Sequence, residues 1–188
     1  MALIPHFSNA SSTDLGLYKV FETNVLLLVN QGVSLSLEHQ WSPHFSFGNQ
    51  LALFQQKFNF ENSTFMIKDL YMFGTKWDYY FFQKGMFGPF AELQLKLNYS
   101  LTHISQNENH MKIKRFFVIP VTNIGYRFIT TNFITFAAYF GLGYTVFSQK
   151  TQKGSFQSFS AENTIQEKIK REEKFFHPDY GFTVGFLF

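Results

Sequence analysis

The chain has 188 residues, with 16 basic and 13 acidic side chains for a formal net charge of +3, 20% aromatic residues and no cysteine. That length suits one domain; the lack of thiols excludes a disulfide framework and thiolate chemistry, and so mild a basic excess is no nucleic-acid signature. The longest purely aliphatic run, Val25 to Val29, is far short of the roughly 20 apolar residues a membrane-spanning helix needs, so any span must be built from strands.

Met1 to Asp14, rich in Ser, Asn and Thr with Pro5, reads as a flexible lead-in, followed by one barrel domain over residues 15 to 188. No basic stretch followed by an apolar one precedes the first strand, so an exported protein of this kind is expected here in a mature or engineered form. Strands are expected at about Val20 to Val29, Val33 to Trp41, Phe45 to Phe58, Phe65 to Phe81, Phe87 to His103, Lys112 to Ile129, Phe133 to Phe147 and Tyr180 to Phe188. The expected fold is therefore all-β, an eight-stranded antiparallel up-and-down transmembrane β-barrel.

Connection lengths suggest an orientation. Ser42-Pro43-His44, Gln83 to Met86 and Thr130 to Asn132 are short, whereas Asn59 to Thr64, Ile104 to Met111 and Gln149 to Asp179 are longer, with Asn30-Gln31-Gly32 as a tight exception. Outer-membrane barrels have short periplasmic turns and longer extracellular loops, so the short joins and both termini are assigned to the periplasm. The faces alternate. Phe87, Pro89, Ala91, Leu93, Leu95, Leu97 and Tyr99 form a lipid-facing row against Gly88, Phe90, Glu92, Gln94, Lys96 and Asn98 inside, and the closing strand puts Tyr180, Phe182, Val184, Phe186 and Phe188 on one face. A soluble barrel would reverse these faces. Against it stand the uncharged Gly, Ala, Tyr and Thr of the second row in the last strands, and the aromatics gathered beside the short turns: Trp41, Phe45, Trp77, Tyr79, Phe81, Phe87, Tyr126, Phe128 and Phe133.

With this alternation Glu38, Lys76, Asp78, Glu92, Lys96 and Arg127 point into the lumen, three acids against three bases. An interior of about eight strands is only wide enough for side chains to fill, and buried charges must pair. A salt-bridged plug is favoured over a gated ion path or a catalytic acid–base pair. His103, Glu108, His110 and Met111 share an expected loop but match no ligand spacing, so no metal or cofactor is expected. Ser36 and Glu38 share one face of their strand while His39 points the other way; that strand cannot supply a Ser-His-acid triad alone, and no catalytic residue is assigned.

Gln149 to Asp179 exceeds ordinary connection lengths. Its middle, Thr164 to Lys174, can form a short helix with Ile165 and Ile169 at i and i+4, and Glu167 with Arg171 at the same spacing. Together with Phe156, Phe159, Phe175 and Phe176, this loop is the expected surface for another protein or for lipopolysaccharide phosphates.

Four stretches together, Thr23 to Leu28 followed by Val33 to His39, the hairpin from Tyr79-Tyr80-Phe81 to Gly88-Pro89-Phe90, Asn123 to Phe128, and Gly185 to Phe188, resemble a family of small outer-membrane β-barrels of Gram-negative bacteria. Many of its members are known only as a domain of unknown function, and their architecture is similar to the OmpA and OmpX transmembrane domains. The resemblance implies an eight-stranded barrel in the bacterial cell outer membrane, inserted by the barrel-assembly machinery, with Tyr180, Phe182, Phe186 and Phe188 in the recognised closing strand; it carries over no catalytic residue. The expected function is a non-enzymatic barrel with a plugged lumen, a structural or interaction protein serving as an accessory subunit of a larger outer-membrane complex. A small-solute or ion channel and an outer-membrane lipid hydrolase are the alternatives.

Overall fold

A strand with one apolar and one polar row hides the polar row when lipid surrounds it, and the sheet must then close, because an open edge leaves backbone N–H and C=O groups unpaired. The computed structural model describes residues 18–29, 31–60, 64–82, 86–106, 109–154 and 176–188. Among them run β1 (Lys19–Asn24), α1 (Val25–Val29), β2 (Gly32–Gln40), β3 (Phe45–Phe60), β4 (Thr64–Tyr80), β5 (Gly88–Gln106), β6 (Asn109–Ile129), β7 (Ile134–Tyr144), β8 (Phe147–Lys153) and β9 (Phe176–Leu187). Every strand pairs antiparallel with its neighbour in sequence order, except that β7 and β8 take successive stretches of β6 and so form one wall strand. The ring closes where Val20 faces Leu187 and Asn24 faces Thr183. Phe188 completes the seam, its N–H donating to the Lys19 carbonyl at 2.9 Å and its carbonyl accepting from the Lys19 N–H at 2.8 Å. The fold is an eight-stranded antiparallel up-and-down transmembrane β-barrel.

Three expectations need correction. The strand expected over Val20 to Val29 ends at Asn24, whose side-chain oxygen accepts the Leu26 N–H at 3.0 Å and starts the helical turn α1. An aliphatic run without alternation does not distinguish strand from helix. At the far end of the barrel, opposite Tyr18 and Phe188, the loops are also shorter than expected: β5 continues to Gln106 and β6 begins at Asn109, so His103, His110 and Met111 lie in strands, and the β3–β4 connection is only residues 61–63. Finally, Gln149–Lys153 belongs to β8 and Phe176–Asp179 to β9, so the last connection is shorter at both ends than the expected loop over Gln149 to Asp179. The lead-in, residues 1–14, lies outside the described residues.

What lengthens at the far end is the strands. β3, β4, β5 and β6 have 16, 17, 19 and 21 residues, against 6, 9, 11 and 12 for β1, β2, β7 and β9. A transmembrane strand needs roughly 9 to 11, so one side of the wall continues beyond the bilayer. Along it the solvent changes and the polarity of the faces inverts, while the geometric alternation of β6 runs on unbroken. In the second half of β6, at the end of the barrel that holds Phe188, Ile124, Tyr126 and Phe128 are exposed and Asn123 and Arg127 buried; in its first half, at the far end, Lys114 and His110 are exposed and Met111 and Ile113 buried. Met66, Ile104 and Met111 meet in register across β4, β5 and β6 and form an apolar lining there.

Two rows of aromatics bracket the apolar band. At the end holding both termini, rings touch around the wall: Trp41 and Phe47 at 6.0 Å, Phe47 and Trp77 at 5.7 Å, Phe45 and Tyr79 at 5.1 Å, Phe87 and Tyr126 at 6.1 Å. The second row, Tyr71, Tyr99 and Phe116, is in register across β4, β5 and β6. From Tyr79 to Tyr71 is eight residues of strand, about 26 Å along the chain at 3.3 Å each, or about 20 Å of height for a strand tilted by roughly 40°, on the scale of an apolar band roughly 25 Å tall.

Between β6 and the β7–β8 strand the register slips. Val121 faces Gly143 and Val118 faces Phe147, so Ile119 and Pro120 stand opposite Tyr144, Thr145 and Val146. Pro120 has no N–H to give its neighbour, and a one-residue bulge sits where that bond is lost. Beyond it the facing residues change parity: in β7 the even residues Phe140, Leu142 and Tyr144 are outward, whereas in β8 Phe147, Gln149, Thr151 and Lys153 oppose the outward Val118, Phe116, Lys114 and Lys112.

Inside the seam, space is tight. A Cβ on Gly185 would press on the Phe21 carbonyl and the Glu22 side chain, so Gly185→Val is expected to destabilise the folded barrel by about 1–3 kcal/mol through overpacking. The urea midpoint of the detergent-folded protein measures it, and an unchanged midpoint would contradict the close approach.

Candidate functional site

Closing a ring of two-faced strands aims eight polar rows at one axis, and each wall strand contributes to the cluster that results. Arg127 of β6 reaches across to Glu38 of β2, the strand diametrically opposite. Its Nη1 donates to Glu38 Oε1 at 2.9 Å and its Nη2 to Oε2 at 2.7 Å, a bidentate fork, with a further Nη2 bond to Glu22 Oε2 at 3.1 Å. Glu38 is 0% exposed and Arg127 1%. Glu38 also receives Lys76 Nζ at 2.9 Å, the Tyr80 hydroxyl at 2.9 Å and the Ser46 hydroxyl, so both its oxygens are filled by donors from β3, β4 and β6. The Arg127 guanidinium lies 5.6 Å from the Tyr80 ring centre and 5.8 Å from that of Phe90, which shield the fork on the side of the near-end turns.

Lys76 is the second hub. Besides Glu38, its ammonium has Asp78 at 3.7 Å and Glu22 and Glu92 at 3.9 Å. From Glu92 the network continues outward: Asn123 Nδ2 donates to Glu92 Oε1 at 2.6 Å and to Asp179 Oδ2 at 2.8 Å, and Lys96 Nζ holds Asp179 Oδ1 at 2.5 Å. Thr135 of β7 donates to Glu22 Oε1 at 3.3 Å.

Of the six lumen charges read from the alternation, Glu38, Lys76, Asp78, Glu92 and Arg127 meet directly, while Lys96 joins through Asp179 and Asn123. Sequence reasoning missed Glu22 and Asp179, so the cluster holds five acids and three bases rather than three of each. Parity alone could have found Glu22, since it shares the buried row of Val20 and Asn24; Asp179 was hidden by counting β9 from Tyr180.

Beyond the network, toward the far end, lies a cavity of about 290 Å³ lined in part by Lys68, Lys96, Asn98, Arg115, His177 and Asp179. The remaining candidate residues are dispersed. His103 and His110 are exposed on the outer face while Met111 is buried inside, so strand geometry separates them, and Glu108 lies outside the described residues. Ser36 is buried in the lumen row of β2 with His39 on the opposite face. In the near-end turn, Ser42 Oγ accepts the Phe45 N–H at 3.1 Å, and His44 Nδ1 donates to the Tyr80 carbonyl at 2.7 Å. Phe156, Phe159, Ile165, Ile169, Arg171 and Phe175 lie outside the described residues. Phe176 is outward on β9, its ring 5.4 Å from that of Tyr144, and Tyr180, Phe182, Phe186 and Phe188 all point outward and are exposed.

Two crystal structures from Acinetobacter baumannii share this architecture. CarO aligns with a TM-score of 0.56 at 12% identity, covering 92% of this chain and 97% of its own; CarO2 aligns at 0.51 and 11%, covering 92% and 98%. No protein-family model and no curated protein matches the sequence. The similarity is one of fold.

Arg127→Ala would leave Glu38 and Glu22 with Lys76 but without the guanidinium they share. A loss of about 3–5 kcal/mol is expected for breaking a buried pair from one side, with Arg127→Lys intermediate because it keeps the charge and loses the fork. Urea unfolding followed by tryptophan fluorescence reads both; equal stability of the alanine variant would show that the fork bears no strain of the fold.

Proposed function

We propose that the protein is a non-enzymatic outer-membrane barrel with a plugged lumen, acting as a structural or interaction protein and serving as an accessory subunit of a larger assembly in that membrane. One observation carries the plug: the Glu38–Arg127 fork spans the full diameter with both side chains buried, and Lys76, Tyr80 and Ser46 fill the sites around it. A path for solute would have to break charge-assisted bonds in a water-poor interior. The outer-membrane assignment draws on the eight-stranded fold shared with CarO and CarO2 and on the outward apolar band between two aromatic rows. Outer-membrane lipid and lipopolysaccharide then surround the wall, the barrel-assembly machinery takes up the closing strand with Tyr180, Phe182, Phe186 and Phe188, and other outer-membrane proteins are the partners of the assembly.

The cavity beside Lys96 favours one competing reading, a small-solute or ion channel whose vestibule ends on the network. Planar-bilayer recordings separate the two. The native protein is expected to give no stable single-channel steps, while Glu38→Ala combined with Arg127→Ala, which removes the strut from both sides, is expected to give them; steps from the native protein would establish the channel. Membrane fractionation of the host cell tests placement, with recovery outside the outer-membrane fraction counting against it.

A further inference from the structure

The outer face just beyond Tyr71, Tyr99 and Phe116 is basic. Lys57, His103, Lys112 and Lys153 are in register across β3, β5, β6 and β8, with Ile67 of β4 between the first two, and Lys114 lies two residues along β6 toward Phe116. Lys112 and Lys153 are directly opposed on one face, and a like-charged cross-strand pair is unfavourable in water. The bulge opposite Pro120 creates this pairing, because it turns the odd residues of β8 outward. Among the described residues none of Lys57, Lys112, Lys114 and Lys153 has a carboxylate within salt-bridge distance. Asp69 shares the face, and its Oδ1 is taken by Gln55 Nε2 at 2.7 Å.

The level of this face matters as much as its charge. Tyrosine rings on a membrane protein sit at the headgroup layer, and Lys114 and Lys112 lie two and four residues before Phe116, about 7 and 13 Å along the strand. We infer that the outer side of β3, β5, β6 and β8 at this level binds the headgroup phosphates of the surrounding lipid leaflet, the phosphates of lipid A where that leaflet is lipopolysaccharide. Phosphate between Lys112 and Lys153 turns a repulsive pair into a chelating one. The inference rests on the transmembrane reading, which sets the level of the face, and is independent of the plugged lumen.

The full chain, folded in detergent, is mixed with bis-phosphorylated lipid A or with the same lipid stripped of both phosphates, gel-filtered, and the lipid retained per protein measured by mass spectrometry. Retention of the phosphorylated form alone is expected, weakening about fivefold for each lysine removed in Lys57→Gln, Lys112→Gln, Lys114→Gln and Lys153→Gln, and kept in the corresponding Lys→Arg set. The single Lys112→Gln variant relieves the like-charged pair, so it is expected to fold and to melt above the native chain in lipid-free detergent, with the order reversed once phosphorylated lipid A is added. Equal retention of both lipids, equal retention by the glutamine variants, or displacement by millimolar inorganic phosphate, which would mark a site for free anions, overturns the inference. Insertion into neutral phosphatidylcholine vesicles distinguishes the failures: a chain that inserts but shows no phosphate preference refutes this inference alone, and one that does not insert refutes the transmembrane reading with it.

Discussion

The fork between Arg127 and Glu38 is the contact on which the rest of the lumen is built. It joins strands on opposite sides of an eight-membered ring, so its length fixes the distance between walls that share no backbone hydrogen bond. Each charge alone carries a desolvation penalty of several kcal/mol, and the two oxygens of Glu38 are therefore occupied between them by donors from three other strands. Neighbouring small residues follow from the same constraint: Gly185 leaves room for Glu22, and a Cβ on Gly141 would strike the Asn123 side chain. The seam strands close around side chains for which these glycines leave room.

A second boundary condition comes from outside. Lipid requires an apolar outer face and water a polar one, and β6 obeys both within a single uninterrupted strand, Ile124, Tyr126 and Phe128 outward at one level and Lys114 and His110 outward at another. Its inner residues exchange character in step, from Arg127 and Asn123 to Met111 and Ile113. Both face polarities, apolar outward and apolar inward, thus occur end to end along one side of the wall. Because β3 and β4 leave only residues 61–63 between them, and β5 and β6 only 107–108, the rise of that wall is carried by hydrogen-bonded strands, which hold the basic face at a defined height.

The barrel was legible because period-two alternation survives inside the bilayer, where Leu93, Leu95 and Leu97 leave no doubt about which side is lipid. So was the lumen position of Glu38, Lys76 and Arg127. Elements failed to show wherever that contrast faded. Val25–Val29 has no polar alternates and forms a helical turn; the tips of β5 and β6 carry His103, Ser105 and His110 on their outer face, where no apolar row marks a strand. Which charges touch is a property of closure, and no local spacing announces that Arg127 meets Glu22, 105 residues away, or that Asn123 bridges Glu92 and Asp179.

The bulge opposite Pro120 acts on the wall as a frameshift acts on a coding sequence. One inserted residue leaves the chain's order untouched, yet it changes what every later position of that strand means, so that Gln149 and Lys153 are read outward where an uninterrupted frame would have turned them to the lumen. A lysine opposite a lysine is the sense of the shifted frame. Two barrels aligned residue by residue through this point would agree in letters and disagree in faces, and restoring the frame by deleting one of Tyr144, Thr145 or Val146 would rewrite the outer surface without substituting a single side chain.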